Sequence, residues 1–332
     1  MLNRTLDDKI DELVAYLDQI ETLPMSEFYE GFQRGLASIN ELSIQTSDNR
    51  STVMAEFFKT TAQYFDLSAV VNRGRNKPRG YAGDYLTIDL IYQQSVAPTN
   101  AGGKWDELFH RFDAPQAVRN RKAYFIDTIH KLAEEKPGNI AILNLASGPC
   151  RDVAECLESL NGDAGSIEFH CIDIDREAIK YGQKLVEPYA DQAKITFERQ
   201  NILRFKAARK YDLVWSGGLF DYLEDDTAVD VIKRMWDCTN EGGKMIVGNF
   251  HPSNTSRNYM EWCGQWFLIH RSDEELSNLF LKAGIPRNAI SIDREPLGAC
   301  IFGVAEKSDD GVEPPSKSNL KLALNHIQED KK

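Results

Sequence analysis

The sequence predicts an α/β protein in which an all-helical N-terminal region precedes a parallel sheet with helices on both faces. An antiparallel hairpin is expected to finish that sheet. Three observations carry this reading. Apolar residues recur at helical spacing over the first 135 residues, the period changes at KPGN (136–139), and the last two strand-like runs are separated by only PLG.

In the N-terminal region Leu6, Ile10, Leu13, Leu17 and Ile20 share one helical face, as do Phe28, Phe32, Leu36 and Ile39. A third helical segment carries Val53, Phe57, Thr61, Tyr64 and Phe65. The stretch VNRGRNKPRGYAGDY (71–85) reads as a loop, and Ile88, Ile91 and Tyr92 mark the next helix. The segment from Asp113 to Glu135 opens with Asp113 as a cap and Pro115 in its first turn. Its buried stripe is Val118, Phe125, Ile129 and Leu132.

From residue 136 short β-rich runs alternate with helical ones: IAILNL, IEFHCI, KITFE, YDLVW and KMIVGNF. That alternation predicts a parallel sheet. After a helix over 272–283 come ISIDRE (290–295) and ACIFGVAEK (299–307), too close for a crossover helix and therefore antiparallel. The expected division is a helical region over 1–135, an α/β domain over 136–307 and a polar, proline-bearing, mobile tail over 308–332. Within that tail Leu320, Leu324 and Ile327 share a helical spacing.

Of the 332 residues, 42% are hydrophobic and 27% charged, the balance of a globular protein. No apolar run approaches a membrane span, and the N-terminus lacks a signal-peptide core, so a cytoplasmic protein is expected. The formal charge of −12 argues against a general nucleic-acid binder. Arg73, Arg75, Lys77 and Arg79 form a local basic run, which reads either as a solvated loop or as an anion-binding lip. The six cysteines and six histidines are dispersed without metal-ligand spacing, so no metal site is expected.

The stretch LNLASGPCRD (143–152) closes the first strand in a turn with a single glycine. A dinucleotide loop needs small residues at all three positions of GxGxxG, whereas the third here is Arg151. Asp173 stands 25 residues after Gly148, at the end of the second strand-like run. Asp175 reads as a cap for the helix that follows. Five parallel strands and a closing hairpin, with these residues in this order, resemble the class I S-adenosylmethionine-dependent methyltransferases over roughly residues 138 to 306.

The resemblance implies a seven-stranded Rossmann-like methyltransferase sheet and S-adenosyl-L-methionine as cofactor. It implies cofactor contacts at Asn144, Ala146, Gly148, Asp173, Ile174, Asn201, Ile202, Ser216 and Gly217, with Asp173 on the ribose hydroxyls and Ile174 on the adenine face. Asn144 departs from the pattern, since the family places an acid there. Phe220 and Tyr222 either face a substrate or pack.

A substrate is expected beyond the carboxyl ends of the strands. The insertion NFHPSNTSRNYMEWCGQWFLIHR (249–271) supplies Asn254, Arg257, Tyr259, Trp262 and Trp266, and the loop RGYAGDY (79–85) supplies Arg79 and Asp84. The candidate base is His251, with Tyr222 and Tyr81 as orienting groups. These segments and the helical N-terminal region also resemble a bacterial branch that makes hydroxy-fatty-acid methyl-ester quorum signals. That likeness implies a small-molecule acceptor, a fatty or hydroxy-fatty acid carboxylate, paired by Arg79 or Arg257. A homo-oligomer is compatible with the reading. An NAD-dependent oxidoreductase and a non-catalytic cofactor sensor stay open as alternatives.

Overall fold

The structure, a computed structural model, describes residues 5–46, 50–136, 138–160, 166–207 and 209–308. The tail expected to be mobile lies outside the described residues from position 309 onward, as do Leu320, Leu324 and Ile327. Among the described residues no helix is long and apolar enough to cross a membrane.

The N-terminal region is helical: α1 (Leu6–Leu17), α2 (Met25–Thr46), α3 (Arg50–Thr60), α4 (Ala62–Phe65), α5 (Ala69–Asn76), α6 (Tyr85–Tyr92), α7 (Asn100–Arg111) and α8 (Asp113–Glu135). Local chemistry sets several boundaries. Thr5 and Asp8 form a reciprocal capping box on α1, and Ser68 caps α5 through the Val71 amide. The segment 71–76, expected as loop, is thus the body of a helix that ends where Lys77 turns left-handed (φ 45°). Asp113 is the first residue of α8 rather than its cap, and its carboxylate accepts from Thr255 Oγ1 instead.

The α/β part follows as β1 (Ile140–Leu145), α9 (Arg151–Ser159), β2 (Ile167–Asp173), α10 (Arg176–Val186), β3 (Lys194–Arg199), β4 (Tyr211–Ser216) and α11 (Asp225–Asp237). It continues through β5 (Thr239–Phe250), α12 (Arg257–Gly264), α13 (Asp273–Lys282), β6 (Ile290–Arg294) and β7 (Cys300–Glu306). The seven strands lie in the order β3-β2-β1-β4-β5-β7-β6. The neighbours from β3 to β5 are parallel, while β7 runs antiparallel to both β5 and β6. The short PLG connection produced the hairpin as expected.

Successive residues of β1 serve opposite faces of the sheet, which is why IAILNL shows no polar alternation. Ile142 joins the core beneath α8 and the N-terminal helices, and Leu143 joins the core beneath α11 and α13. Tyr124 and Phe125 of α8 pack on Trp215 of β4, and Tyr124 stacks on Phe302 of β7 at 3.9 Å between ring centroids. The helical region and the sheet therefore share one apolar core. The insertion after β5 closes it further: Tyr259 of α12 stacks on Phe112 at 4.1 Å. Trp262 lies edge-on to Phe57 and donates from Nε1 to Asn40 Oδ1.

Candidate functional site

A cavity of about 480 Å³ opens beyond the carboxyl ends of the strands, between the sheet and the helical region. Its floor is the turn after β1. Ala146, Gly148 and Cys150 all have positive φ (52°, 55° and 54°), so the chain alternates through left-handed backbone. For the two residues with side chains that conformation costs about 1 kcal/mol each. Strain of this kind persists where surrounding structure holds it, commonly at a binding site. Here the Ser147 amide donates to Ile172 O, and the Gly148 amide donates to Asp173 Oδ2 at 2.9 Å. Asp173 also accepts from the Asp175 amide at 2.8 Å. Burial still pushes its carboxyl above the usual range against those donors.

Asn144, which stands where the resemblance places an acid, donates to Asp152 Oδ2 at 3.3 Å. Asp152 lies in the first turn of α9. Burial pushes Asp152 up to about 6, opposed by the Val153 amide, Asn144 and Arg121. A second carboxylate at 144 would repel it. Ser147 Oγ is buried on the cavity wall with no hydrogen-bond partner within the chain, which leaves a donor and acceptor for a ligand.

Ile174, Asn201 and Ile202 line the end of the cavity next to Asp173, and Gly217 lines it after β4. Asn201 holds its own turn by accepting from the Leu203 amide at 2.9 Å. Ser216 does not line the cavity: it is fully buried, and its hydroxyl donates to Leu145 O. Asp175 caps α10 through the Glu177 amide, as its position implied.

At the other end stand three aromatic residues. Trp266 Nε1 donates to the Tyr222 hydroxyl at 2.9 Å, and Tyr81 meets Tyr222 edge-on with centroids 6.3 Å apart. Desolvation, then Asp173, Asp175 and Asp84, pushes the Tyr81 phenol up to about 12. At neutral pH it is protonated, so it can donate a hydrogen bond but cannot act as a base. The loop carrying Tyr81 comes this close because residue 83 is glycine. A Cβ there would sit 2.5 Å from the Tyr222 hydroxyl.

The other expected site residues lie elsewhere, each for a visible reason. His251 is outside the cavity lining; its Nδ1 engages Ser253, whose hydroxyl donates to Gly298 O, so the loop turns the ring toward the β6–β7 hairpin. Asp84 is a fully buried helix cap holding Arg73 at 2.9 Å. Arg79 pairs with Asp175. Arg257 pairs with Glu261 one turn on. Asn254 is buried against His270, Phe220 lies in the core under α11, and Tyr259 and Trp262 are spent on the helical core. The basic run is neither a solvated loop nor an anion lip. Arg73, Arg75 and Arg79 pair with Asp84, Asp66 and Asp175, and Lys77 donates to Gln265 O.

Residues not anticipated also line it, among them Ile88, Tyr92, Val118, Arg121, Lys122, Trp215, Asp221, Phe250 and Leu268. Arg121 had a detectable signal. It stands three residues after Val118 and four before Phe125, inside the apolar stripe of α8. Asp221, between two aromatic residues, had none. Burial pushes its carboxyl up to about 7, against the attraction of Arg121, the Phe250 amide and Arg271. Arg151, at the third glycine position of a dinucleotide loop, opens α9 and pairs with Asp89.

Residues 142–243 match the family model described as a methyltransferase domain. No curated protein matches the chain. Among solved structures the fold is similar to a possible exported protein from Bordetella parapertussis, 15% identical, covering 92% of this chain and 98% of that one with a TM-score of 0.59. It is also similar to the CurJ carbon methyltransferase, 14% identical, covering 92% of this chain and 91% of that one, TM-score 0.52. A third likeness is to the S-adenosylmethionine-dependent methyltransferase SibL, 10% identical, covering 91% and 96%, TM-score 0.50. At these identities the likeness is one of fold. Residues 142–243 thus match a methyltransferase domain, and the seven-stranded fold is that of the class I, S-adenosylmethionine-dependent methyltransferases.

Proposed function

We propose that the chain methylates a small-molecule acid, and that the acceptor is the carboxylate of a fatty or hydroxy-fatty acid. The observation that carries this is the chemistry of the cavity's acceptor end. Phe250, Val118, Leu268 and Trp266 make its lining apolar, and the Arg121 guanidinium in that lining suits an anionic head on an apolar body. An ionised carboxylate needs no base, whereas a hydroxyl or amine acceptor must lose a proton around the transfer.

In this reading Asp173 holds the ribose hydroxyls, and Ile174, Asn201 and Ile202 hold the adenine. Asn144, Ala146, Gly148 and Gly217, with the free Ser147 hydroxyl, hold the amino-acid end. The donor supplies a sulfonium methyl group, which joins the acceptor oxygen as the carbon–sulfur electron pair returns to sulfur. The protein's part is alignment and the exclusion of water. Tyr81, Tyr222 and Trp266 cover the acceptor end and orient it.

The test has two parts. Calorimetry with S-adenosylhomocysteine should show binding, and none at high micromolar ligand would sink the donor assignment. A panel of acids, alcohols and amines with labelled donor should give product chiefly with long-chain acids. Product from amines alone would sink the acceptor assignment.

A further inference from the structure

We infer that Arg121 seats the carboxylate of the methyl acceptor, so that the cavity selects acidic acceptors over neutral molecules of the same shape. The inference rests on the methyl-transfer reading and adds to it the residue that sets acceptor class.

A guanidinium taken out of water is costly unless it is paired. Arg121 is 7% exposed and lines the cavity, yet its nearest carboxylate oxygen, Asp221 Oδ2, is 4.0 Å away. That exceeds hydrogen-bonding range, and among the described residues no other carboxylate comes closer. Asp221 is committed elsewhere, since its Oδ1 accepts from the Phe250 amide at 2.7 Å and from Asn249 Nδ2 at 3.0 Å. The phenol of Tyr92 is the neutral neighbour on the other side. The other arginines near the cavity, Arg73, Arg79 and Arg151, each hold a carboxylate of the chain itself.

The backbone around Arg121 is shaped to admit it. A Cβ on Gly218 would stand 2.8 Å from one terminal nitrogen and 3.0 Å from the other. A Cβ on Gly217 would only touch the side-chain stem, at 3.4 Å, and one on Gly248 would collide with Gly217 O at 2.3 Å. Gly218, just past β4, thus leaves room for a planar, forked donor. Such a donor fits a carboxylate in bidentate fashion, which an ammonium does not.

Position separates the Arg121 slot from the donor's ribose end, while Gly217 borders both the slot and the proposed amino-acid end. Arg121 lies over the ends of β4 and β5, whereas Asp173 lies at the end of β2, with β1 between. Adjacent strands are about 4.8 Å apart, so the slot is displaced from the ribose end toward Phe250, Trp266 and Leu268. An anionic head on Arg121 would leave an apolar body against those walls.

The experiment uses dodecanoate and its neutral isostere dodecanamide as probes, titrated into full-length protein saturated with S-adenosylhomocysteine. Wild type should bind the acid about tenfold or more tightly than the amide. Arg121→Met should abolish that preference while leaving S-adenosylhomocysteine affinity within about twofold. Arg121→Lys should restore part of it. Equal binding of acid and amide by wild type would overturn the inference without any variant, so a folding defect in Arg121→Met does not protect it. A parallel loss of S-adenosylhomocysteine affinity in Arg121→Met would also overturn it, because the guanidinium would then hold the donor's own carboxylate. Failure of wild type to bind S-adenosylhomocysteine at all would instead strike the donor assignment beneath it.

Discussion

The amide of Gly148 donates to Asp173 Oδ2, fastening the turn after β1 to the end of β2. The carboxylate's other oxygen accepts from the Asp175 amide, so Asp173 both shapes the turn and faces the cavity. Asp173→Ala should weaken S-adenosylhomocysteine binding more than about tenfold, the loss of a charge-assisted pair of hydrogen bonds. Asp173→Asn keeps a carbonyl for the backbone amide and should fold nearly as stably as wild type while still binding weakly. Calorimetry and thermal melts on both variants decide this. Wild-type affinity in Asp173→Ala would remove the residue from the cofactor site.

Gly83 has ordinary backbone angles, so its substitution acts through space alone. A Cβ would meet the Tyr222 hydroxyl at 2.5 Å and the Trp266 ring at 2.9 Å. Gly83→Ala should therefore part these two side chains and break their 2.9 Å hydrogen bond. The expected result is kcat/KM for the acceptor lowered about tenfold, with S-adenosylhomocysteine affinity changed less than about threefold. An unchanged kcat/KM would mean that the aromatic rim does not order the acceptor.

What the sequence made legible here was local in origin. Strand-then-helix alternation, the PLG hairpin and the interval from Gly148 to Asp173 follow from periodicity and spacing, which neighbouring residues impose. The other end of the cavity was harder because side-chain pairing, rather than periodicity, decides which of its residues are free. Arg73, Arg75 and Arg79 look like one basic lip, yet Asp84, Asp66 and Asp175 divide them between three separate pairs. His251 follows a strand at the correct end, but one loop turn aims it at Ser253. Arg121 was hidden by its setting in RNRK, where a charged run suggests solvent, although its place in the apolar stripe argued for burial.

Asp84 shows the consequence for stability. It caps α6 through the Leu86 and Thr87 amides and takes both oxygens' worth of Arg73. Asp84→Ala removes the cap and leaves Arg73 half-buried without its partner, a loss of about 2–4 kcal/mol. Urea unfolding should register that loss, while S-adenosylhomocysteine affinity of the folded fraction stays within about twofold. A loss of affinity with no loss of stability would return Asp84 to the ligand site.

Asp221 makes stability depend on pH. Its carboxyl, pushed up to about 7 by burial, lies well above the value near 3.9 expected in the unfolded chain. Between those values the native state holds a proton that the unfolded state has released, so stability falls as pH rises through the window. The contribution is complete below about pH 4 and gone above about pH 7. Asp152, raised to about 6, acts in the same direction over a narrower range. Asp221→Asn cannot titrate, yet its amide oxygen can still accept from the Phe250 amide. Melting temperatures from pH 5 to 8 should therefore decline less steeply in Asp221→Asn than in wild type. The slope that remains should shrink further when Asp152→Asn is added. Parallel profiles for wild type and Asp221→Asn would show that Asp221 is ionised throughout, held so by Arg121 and Arg271.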